Sequence, residues 1–336
     1  MDIYHFDIDD RSEYEFKSGK YLKIKEFDDG GFGEVLLAIK ESEKNLEDPK
    51  RFVIKINKKF VFTSNQKETI YMEKPKELNF MEIREPALMK KLNHPNLMKL
   101  LDIHICRDSG EVWLLMDYYP TNLKKYISDK FAENNIISEN EFKNFCSSIL
   151  KGVIYLHDKD IIHRDIKPDN IFFNPKTNEI KIGDFGLSRK LESEPNYMYT
   201  NSGTFPYKPP EVLMGYTRYR TEFDIWSLGC TFAEMCIGKP LFEGKNETDI
   251  FKSQVQILGI INEETLGIGH LSGPKMETNT GIQKIGLREY IKNIEKKIQL
   301  KNDDFYDLLE KMLNIKAKER ISAKECLNHR WFSEGN

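Results

Sequence analysis

The stretch IIHRDIKPDNIFF sets a carboxylate at Asp165, an ammonium at Lys167 and a carboxamide at Asn170, five residues beyond the aspartate. A second carboxylate, Asp184, follows in KIGDFGLSR. Carboxylate and amide oxygens are hard donors of the kind a hard divalent cation takes. Upstream, DDGGFGEV runs from Asp28 to Val35. Glycines there let the backbone come close to a ligand, and the amides of Gly30, Gly31, Phe32 and Gly33 can face a phosphate. Each motif alone is an ordinary loop tripeptide or glycine turn, but their order along one chain is not.

The elements that must position these residues change character midway. From Tyr21 to about Met116 the pattern is of short β-type runs, YLKIKEF, EVLLAI, FVIKI, MKLLDIHI and EVWLLMDYY, broken once by the helical LNFMEIREPALMKKL. This predicts a small sheet with one helix. Two polar stretches, KESEKNLEDPKR and NKKFVFTSNQKETIYMEKPK, mix charges with turn formers and read as surface excursions. After Tyr119 and Pro120 come longer amphipathic helices, NLKKYISDKFAE and SENEFKNFCSSILKGVIYLHDKD, the second with Leu150, Val153, Ile154 and Leu156 on its apolar face. Ser138 and Glu141 form a capping-box pattern at its start. A short connection from Asp117 to Thr121 reads as a hinge, and clefts between domains are where ligands usually bind.

Composition narrows the class. With 336 residues the chain has material for two packed units, and 39% hydrophobic against 31% charged is an ordinary globular balance. Lys+Arg of 51 against Asp+Glu of 54 gives a net charge of −3, which argues against nucleic acid or an anionic membrane as partner. Cys106, Cys146, Cys230, Cys236 and Cys326 show no metal-ligand spacing and read as free thiols. The acidic start lacks the basic and apolar regions of a secretory signal, and no apolar run is long enough to span a bilayer, so the expected setting is intracellular, cytoplasm or nucleus.

The ordered motifs resemble those of eukaryotic protein kinases, whose catalytic loop reads H-R-D-x-x-x-x-N and whose metal motif reads D-F-G. The resemblance runs from about Tyr21 to Phe332. It implies an α+β, bilobal fold: an N-terminal extension at 1–18, a β-rich N-lobe with one main helix at 19–118 and a helical C-lobe at 119–336. The C-lobe would include an activation segment at 184–211 and an insert at about 259–299. It further implies that Asp165 orients the substrate hydroxyl and accepts its proton, that Asn170 and Asp184 hold Mg²⁺, and that Lys167 neutralises the γ-phosphate of ATP as in Ser/Thr kinases. Lys55 of FVIKI would touch the α/β-phosphates and pair with a helix glutamate. Of Glu82 and Glu85, the spacing of nine residues before His94 in H-P-N selects Glu85. The nucleotide would lie against Gly30 to Gly33, Val35 and Val53. Met116 would be the gatekeeper, Asp117, Tyr118 and Tyr119 the hinge, with Asn122 beside it and Phe172 flooring the adenine pocket. Asp28, where the family has its first loop glycine, would alter flexibility without abolishing binding, whereas Pro86 would disturb the helix that carries Glu85. Glu211 and Arg320 would form a structural ion pair, and Thr204 would sit near Asp165.

Within that family the chain is similar to the cyclin-dependent and MAP kinase group. DIWSLGCTFAEMCIGKPLFEGKNETDIFKSQVQILG carries most of that resemblance, and I-R-E at 83–85 a weaker part. Arg84, Arg164 and Arg189 match positions that gather guanidinium groups around an activation-loop phosphate, with Thr200 the first acceptor and Tyr199 and Ser202 next. The implied partners are protein substrates, a cyclin-like activator and an upstream activating kinase. Lys208 replaces the arginine that contributes to a preference for proline after the phosphoacceptor, so the resemblance leaves open whether substrates are proline-directed. Gly31 and Phe32 replace the Thr-Tyr pair at which phosphorylation inhibits cyclin-dependent kinases. The leading expectation is an active Ser/Thr kinase, against a pseudokinase scaffold or a small-molecule kinase of similar fold.

Overall fold

Period-two alternation builds the first unit. In Arg51–Asn57, residues Phe52, Ile54 and Ile56 are buried while Val53, Lys55 and Asn57 are half-buried, so one strand presents a core face and a working face. The computed structural model describes residues 13–30, 33–57, 80–106, 111–191, 203–259, 261–267, 284–294, 298 and 300–333. The chain divides into two units, Met1–Asn93 with Met98–Tyr119, and His94–Leu97 with Pro120–Asn336.

The first unit holds β1 (Glu13–Phe16), β2 (Gly19–Gly30), β3 (Gly33–Lys40), β4 (Arg51–Asn57), α1 (Phe80–Met89), β5 (Leu100–Ile105) and β6 (Val112–Asp117). The strands form one sheet in the order β1-β2-β3-β4-β6-β5, antiparallel at every pairing. Its core face packs Phe16, Tyr21, Leu36, Ala38, Phe52, Ile54, Ile56 and Leu115, and burying each large aliphatic side chain stabilises the unit by about 1.5–3 kcal/mol. The two outermost strands meet: the amide of Ser18, just after β1, donates to Asp102 Oδ2 on β5 at 2.7 Å. Burial works against ionisation of Asp102, but the Ser18 hydrogen bonds outweigh it and hold the carboxyl below its ordinary range. Helix α1 continues through Pro86, which has no amide for the carbonyl of Glu82. KESEKNLEDPKR is mostly exposed and contains a 3-10 turn at Glu41–Glu43.

The second unit holds β7 (Thr121–Asn122), α2 (Leu123–Ala132), α3 (Glu139–His157), β8 (Ile161–Ile162), β9 (Ile171–Asn174), β10 (Glu179–Ile182) and β11 (Arg189–Lys190). After these come α4 (Pro210–Leu213), α5 (Glu222–Ile237), α6 (Glu247–Leu258), α7 (Glu263–Leu266), α8 (Leu287–Lys292), α9 (Asp304–Met312), α10 (Ala323–Leu327) and α11 (Arg330–Ser333). The segment His94–Leu97 joins this unit through β10: the Ile182 amide donates to the Asn96 carbonyl at 2.9 Å. Every residue of α5 from Phe223 to Ile237 is buried, which makes it the central helix. At the start of α3, Ser138 Oγ accepts the Glu141 amide at 3.1 Å, but the Glu141 carboxylate accepts the Tyr126 hydroxyl of α2 instead of turning back. Only half of the expected capping box forms. Among the described residues no helix is long and apolar enough to cross a membrane.

Candidate active site

The loop between β8 and β9 carries His163 to Asn170, and a buried carboxylate pins its start. Asp224 of α5 accepts the backbone amides of His163 and Arg164 and the Nε2 of His157, each at 2.9 Å. Burial opposes the charge on Asp224, yet the His157 hydrogen bond and the two nearby histidines hold its carboxyl below the usual range. Arg164 takes φ of 68°, unusual for a non-glycine residue, and a left-handed backbone of this kind costs about 1–3 kcal/mol. The Asp224 hydrogen bond to its amide opposes that cost.

Asp165, buried at 7% exposure, has both oxygens engaged. Asn170 Nδ2 donates to Oδ2 at 2.9 Å and to the Asp165 carbonyl at 2.8 Å, and Lys167 Nζ lies 2.9 Å from the same Oδ2. Thr204 Oγ1 donates to Oδ1 at 2.7 Å and accepts from Lys167 Nζ at 2.7 Å. Gly203, just before it, takes φ of 86°, and a Cβ there would lie 2.8 Å from the Arg164 carbonyl. A carboxylate fixed by an amide, an ammonium and a hydroxyl is held in one orientation.

Asp184 is exposed, with φ of 59°. Its neighbours lock it in place: Phe185 is fully buried with its ring centroid 5.2 Å from that of His163, and His163 Nε2 donates to the Gly183 carbonyl at 3.0 Å. The Gly183 amide donates to the Asn170 carbonyl at 2.9 Å, which ties the two candidate metal residues together through the backbone. Because Asn170 commits its amide nitrogen to Asp165, its amide oxygen is the atom left to meet a cation. No group of three or more His, Cys, Asp or Glu suited to a metal occurs among the described residues. One carboxylate and one amide oxygen nevertheless fit Mg²⁺, which usually keeps waters and phosphate oxygens as its other ligands.

In the first unit Lys55 Nζ donates to Glu85 Oε1 and Oε2 at 2.9 and 3.1 Å, with side-chain exposures of 15% and 5%. Asn57, two residues on and therefore on the same strand face, reaches Glu85 Oε2 at 3.5 Å. Sequence reasoning overlooked Asn57, although strand period alone could have found it. The ladders set Val35 opposite Lys55 and Val53 opposite Met116. Gly30 pairs with Gly33 across the β2–β3 hairpin, and Asp28 with Val35, so Asp28 stands within the strand. Asp117 pairs with Lys50 at 2.9 Å, Tyr118 stacks on Phe27, and Tyr119 closes the unit. In the second unit Asn122 faces Phe172 across β7 and β9, and its side chain caps α2 by accepting the Lys125 amide at 2.9 Å.

Arg164 Nε donates to the Leu187 carbonyl at 2.6 Å, whereas its buried Nη1 has no hydrogen-bond partner among the described residues. Arg189 lies half-buried on β11, and Arg84 half-buried on α1 in the other unit. Gly31, Phe32, Tyr199, Thr200 and Ser202 lie outside the described residues. Arg320 meets Glu211 through two hydrogen bonds of 2.6 Å. Lys208 is almost fully buried, 2.7 Å from Glu247. A fully buried Glu234, which the sequence did not single out, accepts from both Lys124 and Tyr207.

A family model described as protein kinase domain matches residues 21–332. That span covers both units and all the motifs described above. The chain belongs to the protein kinase family and has its bilobal α+β fold, a β-rich lobe followed by a helical one.

Proposed function

We propose that this protein kinase is an active Ser/Thr enzyme that transfers the γ-phosphate of Mg-ATP to hydroxyls of protein substrates. The observation that carries the reading is the Asp165 carboxylate, held by Asn170 at 2.9 Å, Lys167 at 2.9 Å and Thr204 at 2.7 Å. Asp165 orients the substrate hydroxyl and accepts its proton, while Lys167, in the position typical of Ser/Thr catalytic loops, neutralises charge on the transferring group. Asn170 and Asp184 supply hard oxygens for Mg²⁺. Lys55, oriented by Glu85, meets the nucleotide phosphates together with the amides of Gly30, Gly31, Phe32 and Gly33. Val35, Val53, Met116, Asp117, Tyr119, Asn122 and Phe172 line the adenine side.

Control falls to the activation segment in this reading. Arg164, whose buried Nη1 lacks a hydrogen-bond partner among the described residues, gathers with Arg84 and Arg189 around a phosphate on Thr200, with Tyr199 and Ser202 as lesser acceptors. An upstream kinase supplies that phosphate, and Ile83 on α1, 38% exposed beside Arg84, offers a cyclin-like activator an apolar contact. The chain is cyclin-dependent-kinase-like in this respect.

The decisive experiment incubates the full chain with labelled ATP and a generic basic protein, beside Asp165→Asn and Thr200→Ala. Label transfer by the unmutated protein, abolished in Asp165→Asn, supports the enzyme; no transfer, or no loss in that variant, leaves a kinase-fold scaffold. Thr200→Ala is expected to lower the rate, and full activity in that variant would refute control through Thr200.

A further inference from the structure

Glu234 sits on α5 with no exposure to solvent, outside the constellation just described. Its Oε2 accepts the Tyr207 hydroxyl at 2.6 Å, and its Oε1 lies 2.5 Å from the Nζ of Lys124, whose side chain is 41% exposed. Tyr207 in turn belongs to the 3-10 turn Phe205–Tyr207, whose preceding residue is Thr204. The Tyr207 amide donates to the Thr204 carbonyl at 3.0 Å, and Ser227 Oγ, also on α5, donates to the Tyr207 carbonyl at 2.9 Å. Tyr207 is therefore tied at side chain and backbone, and the turn it holds delivers Thr204 to Asp165.

We propose that Lys124 is a positioning residue for phosphoryl transfer: by neutralising buried Glu234 it keeps that carboxylate an acceptor for Tyr207, and so keeps Thr204 on Asp165. The inference rests on the enzymatic reading above. A buried carboxylate whose cation has been removed is an uncompensated charge, and the groups around it must move to solvate it, which draws it off Tyr207. Burial and the neighbouring Glu234 raise the Tyr207 hydroxyl far out of the working range, so it stays a donor. The other titratable groups here are Cys230, which faces Glu234 from one turn earlier on α5, and Asp169, which faces Tyr207 from the catalytic loop; neither is a cation.

The test compares Lys124→Met, Lys124→Arg, Glu234→Gln and the double variant Lys124→Met with Glu234→Gln, in full-length protein. Glutamine keeps an acceptor for Tyr207 but needs no cation. The expected result is a loss of about tenfold in kcat/KM for protein substrate in Lys124→Met with KM for ATP unchanged, restored by Lys124→Arg and by the added Glu234→Gln. A double variant no better than Lys124→Met, or Lys124→Met as active as the unmutated enzyme, would overturn the proposal. Thermal unfolding supplies a readout that needs no catalysis. Ionising an unpaired buried carboxylate destabilises the folded state, so the Tm deficit of Lys124→Met should widen from about pH 5 to about pH 8 and vanish with Glu234→Gln. A pH-independent deficit refutes the pairing even in an inactive protein, whereas an inactive protein with the widening deficit refutes only the enzymatic reading.

Discussion

Arg320 and Glu211, 109 residues apart, face each other through two hydrogen bonds of 2.6 Å, with side-chain exposures of 0% and 1%. The guanidinium also lies over the Trp226 ring at 4.8 Å and donates to the Asn314 and Glu222 carbonyls at 2.8 and 3.2 Å. One side chain therefore joins α4, α5 and the segment before α10. Replacing Arg320 by Met leaves Glu211 buried and unpaired, and the expected cost is about 3–5 kcal/mol in urea unfolding of the second unit. A loss under about 1 kcal/mol would show that the pair carries little, as exposed pairs do.

Lys55 and Glu85 provide a test in the other unit. If Lys55 meets the nucleotide phosphates as proposed, Lys55→Met removes a preorganised ammonium, and removal of such a group typically costs about 10²–10³ in kcat. Glu85→Gln retains hydrogen-bonding atoms but not the charge and should fall between this variant and the unmutated enzyme. Steady-state kinetics at saturating ATP decide, and equal rates for all three proteins would remove Lys55 from the chemistry.

Gly203 links backbone geometry to the same site. Alanine there must adopt φ of 86° with its Cβ 2.8 Å from the Arg164 carbonyl and 3.1 Å from Phe223. Something must shift, and Thr204 is the next residue along the chain. Gly203→Ala is expected to destabilise by more than about 1 kcal/mol, judged from positive-φ alanine substitutions, and to lower kcat at least tenfold. Retained kcat at reduced Tm would separate stability from positioning.

Thiol chemistry checks the packing of the helical unit. Burial pushes the Cys146, Cys230 and Cys326 thiols up, and Cys236 is buried as well, whereas Cys106 is half-buried. The thiolate is the nucleophile, so at neutral pH iodoacetamide should modify Cys106 first and the other four only on unfolding. Peptide mapping after a short pulse gives the order, and rapid labelling of Cys146 or Cys230 would contradict the packing around α5.

Much of the pairing was legible because spacing along an element fixes direction. The FVIKI motif picked out Lys55, and the distance of Glu85 from His94 chose it over Glu82. The Glu211–Arg320 pair was readable from motif residues alone. Strand β1 escaped because its four residues, EYEF, are too short for alternation to register. Glu234, Lys124 and Tyr207 come from three elements far apart in sequence, and only tertiary packing joins them. The capping box failed for a similar reason, since Tyr126 on a neighbouring helix took the Glu141 carboxylate.

Strand β1 also has a colloidal consequence. It pairs with residues Gly19 to Leu22 of β2, and Ser18 then clasps Asp102 on the opposite rim of the sheet. Without residues 13–18 the start of β2 would present unpaired amides and carbonyls, a template on which a second molecule can add a strand. Shortening the chain to residue 19 should therefore show first as precipitation or self-association on concentration, before any catalytic defect could be measured.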